Sequence, residues 1–451
     1  MQELYAKLPD RGKPAVGAAG EFTVLAGVVL RRGQAGEDEV LSLATGTKCA
    51  GVGMVEGEDK EAGAVISDSH AETLARRGLQ RYLFKSLIAE LRGCAQNNGG
   101  ILELVQDTGK FRLRKGFELV LYVSDSPCGD ASIYARGTSM SFTGAKPVVG
   151  AVREDAQLLG AVRTKSGRSD MPEEHRTSSM SCSDKLARWT HLGVQGALLS
   201  SFLEAMFFTE VVVDADPAAQ PGAQEASLHR ALCGRCAPTA TSPRVRVSEP
   251  TPESSCPAFA SGKCQVEHTR RSIQGGKPRP SGTSINWVRD IVLEASPNSS
   301  GSRDSVESLH KKCTRVAGGT VEVTLAHTGT LQGAVKRCVG EAKNSSRLCK
   351  REMGRLLGML LREPALYRLQ LPELVRGGGT SFAQSQTYLW WKRADPEYVS
   401  RKDAFLASEP FTAWIQDPVP HFIVGEAEIL KDQEEDKEKE RKKIRVDLIQ
   451  S

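Results

Sequence analysis

Ser67-Asp68-Ser69-His70-Ala71-Glu72 is the stretch that most constrains this chain of 451 residues. Three consecutive residues of helix-capping type precede a run with apolar positions at Leu74, Tyr82, Leu83, Leu87, Ile88 and Leu91. The pattern predicts one long helix over 71–91, capped from within 67–69, with His70 and Glu72 at its start. A neutral imidazole in that position can ligate a metal ion. A carboxylate placed just beyond it can reach the ion's water without itself ligating. That chemistry requires further ligands from elsewhere in the chain.

Two cysteines stand in suitable contexts. Phe117 to Val123 reads as a buried strand and runs into Ser126-Pro127-Cys128-Gly129-Asp130, after which Ala131-Ser132-Ile133-Tyr134 is expected to open a helix. A thiol at such a junction lies in the positive field of a helix N-terminus, which favours the thiolate. Zinc deaminases pair H-x-E with P-C-x-x-C. Here Ala131 occupies the second cysteine position, so the other thiolate is assigned to Cys182 in Met180-Ser181-Cys182-Ser183-Asp184-Lys185. Ser183 or Asp184 caps the helix expected there, and Glu210 to Asp214 reads as a strand. His70, Cys128 and Cys182 make three protein ligands and leave a fourth position for water, the pattern of a catalytic zinc.

These motifs also carry a resemblance. His-Ala-Glu at 70–72, Ser-Pro-Cys-Gly-Asp at 126–130 and Ser-Cys-Ser-Asp-Lys-x-Ala-Arg-Trp at 181–189 together resemble the adenosine deaminases that edit RNA. Thr143-Gly144-Ala145-Lys146-Pro147 and Arg163-Thr164-Lys165-Ser166-Gly167-Arg168 look most like the tRNA-editing branch, and the match spans roughly 20–215 and 285–420. The resemblance implies an α/β fold of zinc-dependent deaminase type, a mixed sheet flanked by helices with a helical C-terminal part. It implies hydrolytic conversion of adenosine to inosine with Glu72 as proton carrier, and the adenosine 3′ of the anticodon in alanine tRNA as target.

It also implies a buried inositol hexakisphosphate. Its ligands would be Thr73, Arg76, Arg77, Lys185, Arg188, Trp189, Gln195, Lys350 and Trp414, with Tyr388, Lys392, Tyr398 and Lys402, which recur at helical spacings. Gln416 and Asp417 stand where the family has Glu-Lys, and Ser67 and Ala197 where asparagine and serine are common.

The remaining sequence sets the surroundings. A net charge of +5 fits a polyanionic partner. Lys48, which lies in a Gly-Thr-Lys-Cys similar to the family's, is expected to meet RNA together with Lys146, Arg163, Lys165 and Arg168 of the basic stretch 135–180. Eleven cysteines, no signal peptide and no apolar run near membrane-spanning length predict a soluble protein of a reducing compartment, nuclear or cytoplasmic, with no obligate protein partner. Arg441-Lys442-Lys443 is a weak candidate for nuclear import.

Residues 1–20 are expected to be partly loose, 21–214 and 283–425 to form the catalytic domain, 215–282 to be a mostly disordered insertion beginning after a short helix around Ser227–Leu232, and 426–451 a charged tail. Phe22 to Leu30 is a helix or a buried strand. Cys233-Gly234-Arg235-Cys236, with Cys256 and Cys264 beyond it, is spaced unlike a zinc ribbon and reads as coincidence. The histidine motif comes too early for a double-stranded-RNA module to precede it, which favours a folded RNA over a duplex. Editing of duplex RNA and a catalytically inactive RNA-binding scaffold are the alternatives.

Overall fold

In a computed structural model the protein is described at residues 1–14, 20–33, 36–56, 61–95, 99–141, 143–148, 159–165, 172–236, 242–248, 279–293, 313–334, 341–369, 383, 385–416 and 419–424. The apolar run after Phe22 is a strand, β1 (Leu25–Arg31), followed by β2 (Glu39–Thr45). β-Branched residues and glycine within the run suit a buried strand better than a helix.

In chain order the other principal elements are the helices α1 (Gln2–Lys7), α2 (Val52–Val55), α3 (Ala71–Leu91), α4 (Cys182–Leu192), α5 (Ala223–His229), α6 (Lys350–Leu361), α7 (Tyr388–Trp391) and α8 (Pro396–Ala407). The strands are β3 (Glu118–Val123), β4 (Phe208–Asp214), β5 (Arg244–Ser248), β6 (Thr283–Arg289), β7 (Thr314–Val316) and β8 (Gly319–Leu325). They form one mixed sheet in the order β5-β4-β3-β1-β2-β6-β8-β7, extended by Thr330–Leu331 alongside β8. β3, β4 and β5 run parallel to one another, and the remaining pairings are antiparallel.

Helix α3 lies across β1, β2 and β6 and packs on its far side against α6. That double cover explains why residues around most of its circumference, from Leu74 to Ile88, are buried. Parallel strands are covered on both faces, and the Val211-Val212-Val213 run of β4 is buried throughout.

Three expectations change. Residues 2–8 are not loose: Tyr5 and Leu8 are buried with Leu25, Leu43, Ile285, Trp287 and Val321 in a second core on the sheet. One helical turn suffices because its aromatic anchor supplies the burial.

The span 215–282 holds the expected short helix, as α5 a few residues earlier than the pattern predicts, and in addition an unexpected edge strand. β5 pairs with β4 from Glu210↔Arg244 to Asp214↔Ser248, and Arg246 Nε lies 2.7 Å from Glu210 Oε1. Proline and serine around Arg-Val-Arg-Val-Ser hid its alternation. Within that span 237–241 and 249–278, including Cys256 and Cys264, lie outside the described residues, as does 425–451 with its charged tail and Arg441-Lys442-Lys443.

The C-terminal lysines and tyrosines do not share one helix. Asp395-Pro396 separates α7 from α8, and Asp395 Oδ1 caps α8 by accepting from the amides of Glu397 (3.0 Å) and Tyr398 (3.2 Å).

Tyr5 is 1% exposed. Truncating a buried aromatic to alanine costs about 3 kcal/mol or more. Tyr5→Ala is therefore expected to lower the unfolding free energy by that amount, read as a fall in the urea midpoint at unchanged m-value; an unchanged midpoint would show that α1 contributes nothing to the core.

Candidate active site

Backbone pairing fixes the entry to α3. Ser69 N donates to Lys48 O (3.0 Å), and Ala71 N donates to Gly46 O (3.1 Å). Gly46 has φ +149°, and a Cβ there would meet Ser69 O at 1.9 Å, so the crossing requires glycine. The capping position falls on His70 itself, later than the 67–69 expected, because Asp68 turns inward.

Asp68 Oδ1 accepts from His70 N (3.0 Å) and from His70 Nδ1 (2.9 Å), and the thiol of Cys49 lies 3.4 Å away. Asp68 Oδ2 accepts from Lys165 Nζ (2.7 Å), Ser179 Oγ (3.0 Å), Thr73 Oγ1 (3.2 Å) and Lys185 Nζ. With Nδ1–H committed to Asp68, the lone pair of His70 sits on Nε2.

Cys128 follows the carboxyl end of β3. Only a 3-10 turn, Asp130–Ser132, forms beyond it in place of the expected helix. The helical field comes instead from α4. Cys182 is the first residue of α4, whose cap is Ser181 rather than Ser183 or Asp184, and Cys182 N donates to Cys128 Sγ at 3.4 Å. The Ser183 hydroxyl donates to Cys128 O (2.9 Å), and its amide reaches the same oxygen (3.0 Å), clamping the two cysteine segments together. Gly129 has φ +106°, and a Cβ there would lie 2.3 Å from Ser181 Oγ.

The charges are strongly organised. Burial pushes the Asp68 carboxyl up, but Lys165, Lys185 and His70 outweigh it and hold it well below the usual carboxylate range. Burial and Lys165 disfavour protonated His70, yet Asp68 prevails and its pKa is raised. Contact with Cys182 draws the Cys128 thiol down against burial, with Lys165 and His70 adding to the effect. Cys182 is pushed up by burial and by the neighbouring Cys128, so the two share a proton. Burial, then Cys128, raises the Glu72 carboxyl. A buried carboxyl whose proton affinity is raised is suited to proton transfer.

His70, Glu72 and Cys128 line one cavity of about 1030 Å³ together with Lys48, Lys165 and Thr143. The donors fit a zinc ion. The His70 imidazole reaches Cys128, and the thiols are met by the α4 amide and by Lys165 Nζ, 3.2 Å from Cys182 Sγ. Cys49, Asp68 and His70 also bring donor atoms within 4.8 Å of one another. That group lies on the Nδ1 side, where the carboxylate bonds the imidazole directly and its other oxygen is filled by cations. The Asp68 carboxylate there orients His70.

The expected RNA contacts separate. Lys48 lines the cavity and Lys146 is exposed. Arg163 is buried, 4% exposed, with its backbone amide on Asp184 Oδ2, so it belongs to the interior. Lys165 is consumed by Asp68 and Cys182 rather than offered to phosphates. Arg168 lies outside the described residues. Sequence reasoning missed Asp68, Cys49 and Ser179, whose roles arise only when 46–49, 67–70 and 179–185 meet. Cys233 sits in a π-helical turn that ends at Gly234 and Cys236 two residues beyond it, with the intervening Arg235 bound to Asp184, away from the cavity.

Thr73, Arg76, Arg77, Lys185, Arg188, Trp189, Gln195, Lys350, Tyr388, Lys392, Tyr398, Lys402 and Trp414 surround a second cavity of about 290 Å³. No acidic side chain lines it among the described residues. Arg76 lies over the Trp189 ring and Arg188 over Trp414. Burial brings the Arg76 guanidinium down to about 10, and its Nε is buried with no hydrogen-bond partner among the described residues. Gln416 also lines this space, while Asp417 lies outside the described residues.

A helix-borne H-x-E facing two cysteines at the carboxyl end of a parallel strand, beside a cavity, defines a hydrolytic deaminase. The chain belongs to the adenosine-deaminase (editase) domain family, whose model matches residues 42–317. It is similar to tRNA-specific adenosine deaminase 1 of Mus musculus, with 28% identity covering 91% of this chain and 95% of that protein. The protein of the same name from Schizosaccharomyces pombe is 36% identical over 52% of this chain and 60% of its own length. The double-stranded RNA-specific editase Adar of Drosophila melanogaster is 32% identical over 47% of this chain and 31% of its own.

Removing a carboxylate that orients a ligating histidine typically costs 10- to 100-fold in metal affinity. Asp68→Asn is expected to lower zinc affinity by about that factor in a chelator competition. Unchanged affinity would exclude His70 Nε2 as a ligand held by Asp68.

Proposed function

We propose that this protein converts adenosine to inosine in tRNA, with the adenosine 3′ of the anticodon of alanine tRNA as the target. The observation that carries the reading is the buried Glu72 beside His70 and Cys128 in a cavity wide enough for a nucleoside. The similarity to the tRNA-specific deaminase of Mus musculus along nearly its whole length supports a tRNA substrate. A nuclear or cytoplasmic setting suits that substrate.

His70, Cys128 and Cys182 would hold zinc, which when bound supplies Lewis-acid activation of the attacking water. Glu72 accepts one proton of the water as oxygen attacks C6 of the adenine and passes it to the ring nitrogen. It then carries the second proton from the new C6 hydroxyl to the departing amine as the carbonyl forms. Adenosine and water thus become inosine and ammonia. Asp68 keeps His70 in its tautomer. Lys165 lies against the Cys182 sulfur, where its charge opposes the burial that favours the thiol. Extrusion of the target base costs a few kcal/mol, less in a loop than in a duplex.

The second cavity is read as the seat of inositol hexakisphosphate. Clustered cations with no carboxylate repel one another unless a polyanion fills the space. Lys185 lines this cavity and also reaches Asp68, so the anion would adjoin the histidine's support.

With purified total tRNA, the intact protein is expected to form inosine at one site, and Glu72→Ala is expected to lose a factor of about 10² to 10⁴ in rate. No inosine from zinc-loaded protein would overturn the reading, and inosine in duplex RNA alone would turn it to the other substrate. Phosphorus analysis is expected to find one inositol hexakisphosphate per chain, absent from Arg188→Glu, with a fall in melting temperature on its loss. Phosphorus-free native protein would empty the second cavity of its assigned ligand.

A further inference from the structure

We infer that Met140 is a substrate-positioning residue that packs against the nucleobase adjoining the target adenosine. The inference rests on the reading of the site as an RNA deaminase. Among the described residues, Met140, 57% exposed, is the only exposed large apolar side chain that lines the catalytic cavity. Ile415 belongs to the second cavity, and Val292 lines neither.

The methionine is held out by a braced hairpin. Ala135–Arg136 pairs with Ser139–Met140. Tyr134 Oη donates to Asp216 (3.0 Å), and Arg136 Nε lies 2.8 Å from the same carboxylate. Gln220 donates its backbone amide to Ala135 O (2.9 Å) and its side-chain amide to Gly137 O (2.8 Å). The Ser141 hydroxyl bonds Ser132 O at 2.5 Å, tying the hairpin to the turn that follows Cys128. An unbraced hairpin would fold its apolar side chain inward. This one presents it to the cavity.

The surroundings select the occupant. Met54 of α2 and His175 line the same cavity, as does Lys48. α2 is fixed to the segment after His175 by Val52 N donating to Arg176 O at 2.8 Å. One exposed thioether, with Met54 only half-buried beside it and charged and polar groups around both, lacks the contiguous exposed apolar area a protein partner would cover. It suits a base, whose flat apolar face is bordered by phosphate. Drawing the target base out of its stack uncovers the faces of its neighbours, and a polarizable sulfur packs well on an aromatic ring. Stacking of a base on a side chain is worth roughly 1–3 kcal/mol by alanine substitution for aromatic residues.

The test uses full-length protein and an anticodon stem-loop RNA carrying 2-aminopurine beside the target adenosine. Met140→Ala is expected to lower single-turnover inosine formation about 10-fold, the scale of one lost stacking contact. It should also abolish the fluorescence change seen on binding to the wild type, with zinc content and melting temperature unchanged. Met140→Phe is expected to restore both rate and fluorescence. Wild-type rate and fluorescence in Met140→Ala would overturn this inference alone. Failure of Met140→Phe to restore either would overturn it too, since a stacking surface would then not be what the position supplies. If the wild type forms no inosine, the deaminase reading fails, and the fluorescence comparison still decides whether Met140 meets the base.

Discussion

Everything at the catalytic centre depends on one buried carboxylate. Asp68 receives the imidazole of His70 on one oxygen and two lysine ammonium groups on the other. One negative charge facing two positive charges leaves an excess of positive charge. That excess is spent in two directions. Lys165 leans on the Cys182 sulfur, where thiolate is wanted, and Lys185 lines the cationic cavity, where a polyanion is wanted. Removing one member of such a buried network strands the others without compensation, which typically costs several kcal/mol. The carboxylate therefore couples metal ligation, the second cavity and the start of α3 in one electrostatic unit.

The sheet makes that unit possible. Its parallel half ends at Cys128, and α3 crosses β1, β2 and β6 so that His70 and Glu72 emerge over the same edge. α4 then brings its first amide onto Cys128, so the helical field on that thiol comes from a segment distant in sequence. The same chain crossing buries Lys165, turning a residue of a basic loop into part of the site's interior. Lys48 and the braced Met140 hairpin are left lining the cavity.

Much of this was legible in the order of residues. H-x-E after capping residues, and two cysteines each preceding a turn or helix, are local patterns whose chemistry does not depend on the rest of the fold. The long α3 followed from them, and they are the basis on which His70, Cys128 and Cys182 are proposed as ligands and Glu72 as proton carrier. The thirteen residues assigned by resemblance to the polyphosphate do surround one cavity. Boundaries fared less well, because capping is decided by which side chain turns inward. His70 caps α3 only because Asp68 is drawn to the lysines.

What sequence alone determined is the chemistry: which atoms can ligate, carry a proton or neutralise phosphate, since these are properties of residue types at short spacing. What the tertiary structure decided is who meets whom. It drew Arg163 and Lys165 inward to carboxylates, recruited β5 from a proline- and serine-rich span, and packed Tyr5 of α1 on the sheet. Those outcomes turn on long-range pairing and on burial of charge, whose energies depend on partners far away in the chain and are written in no local pattern.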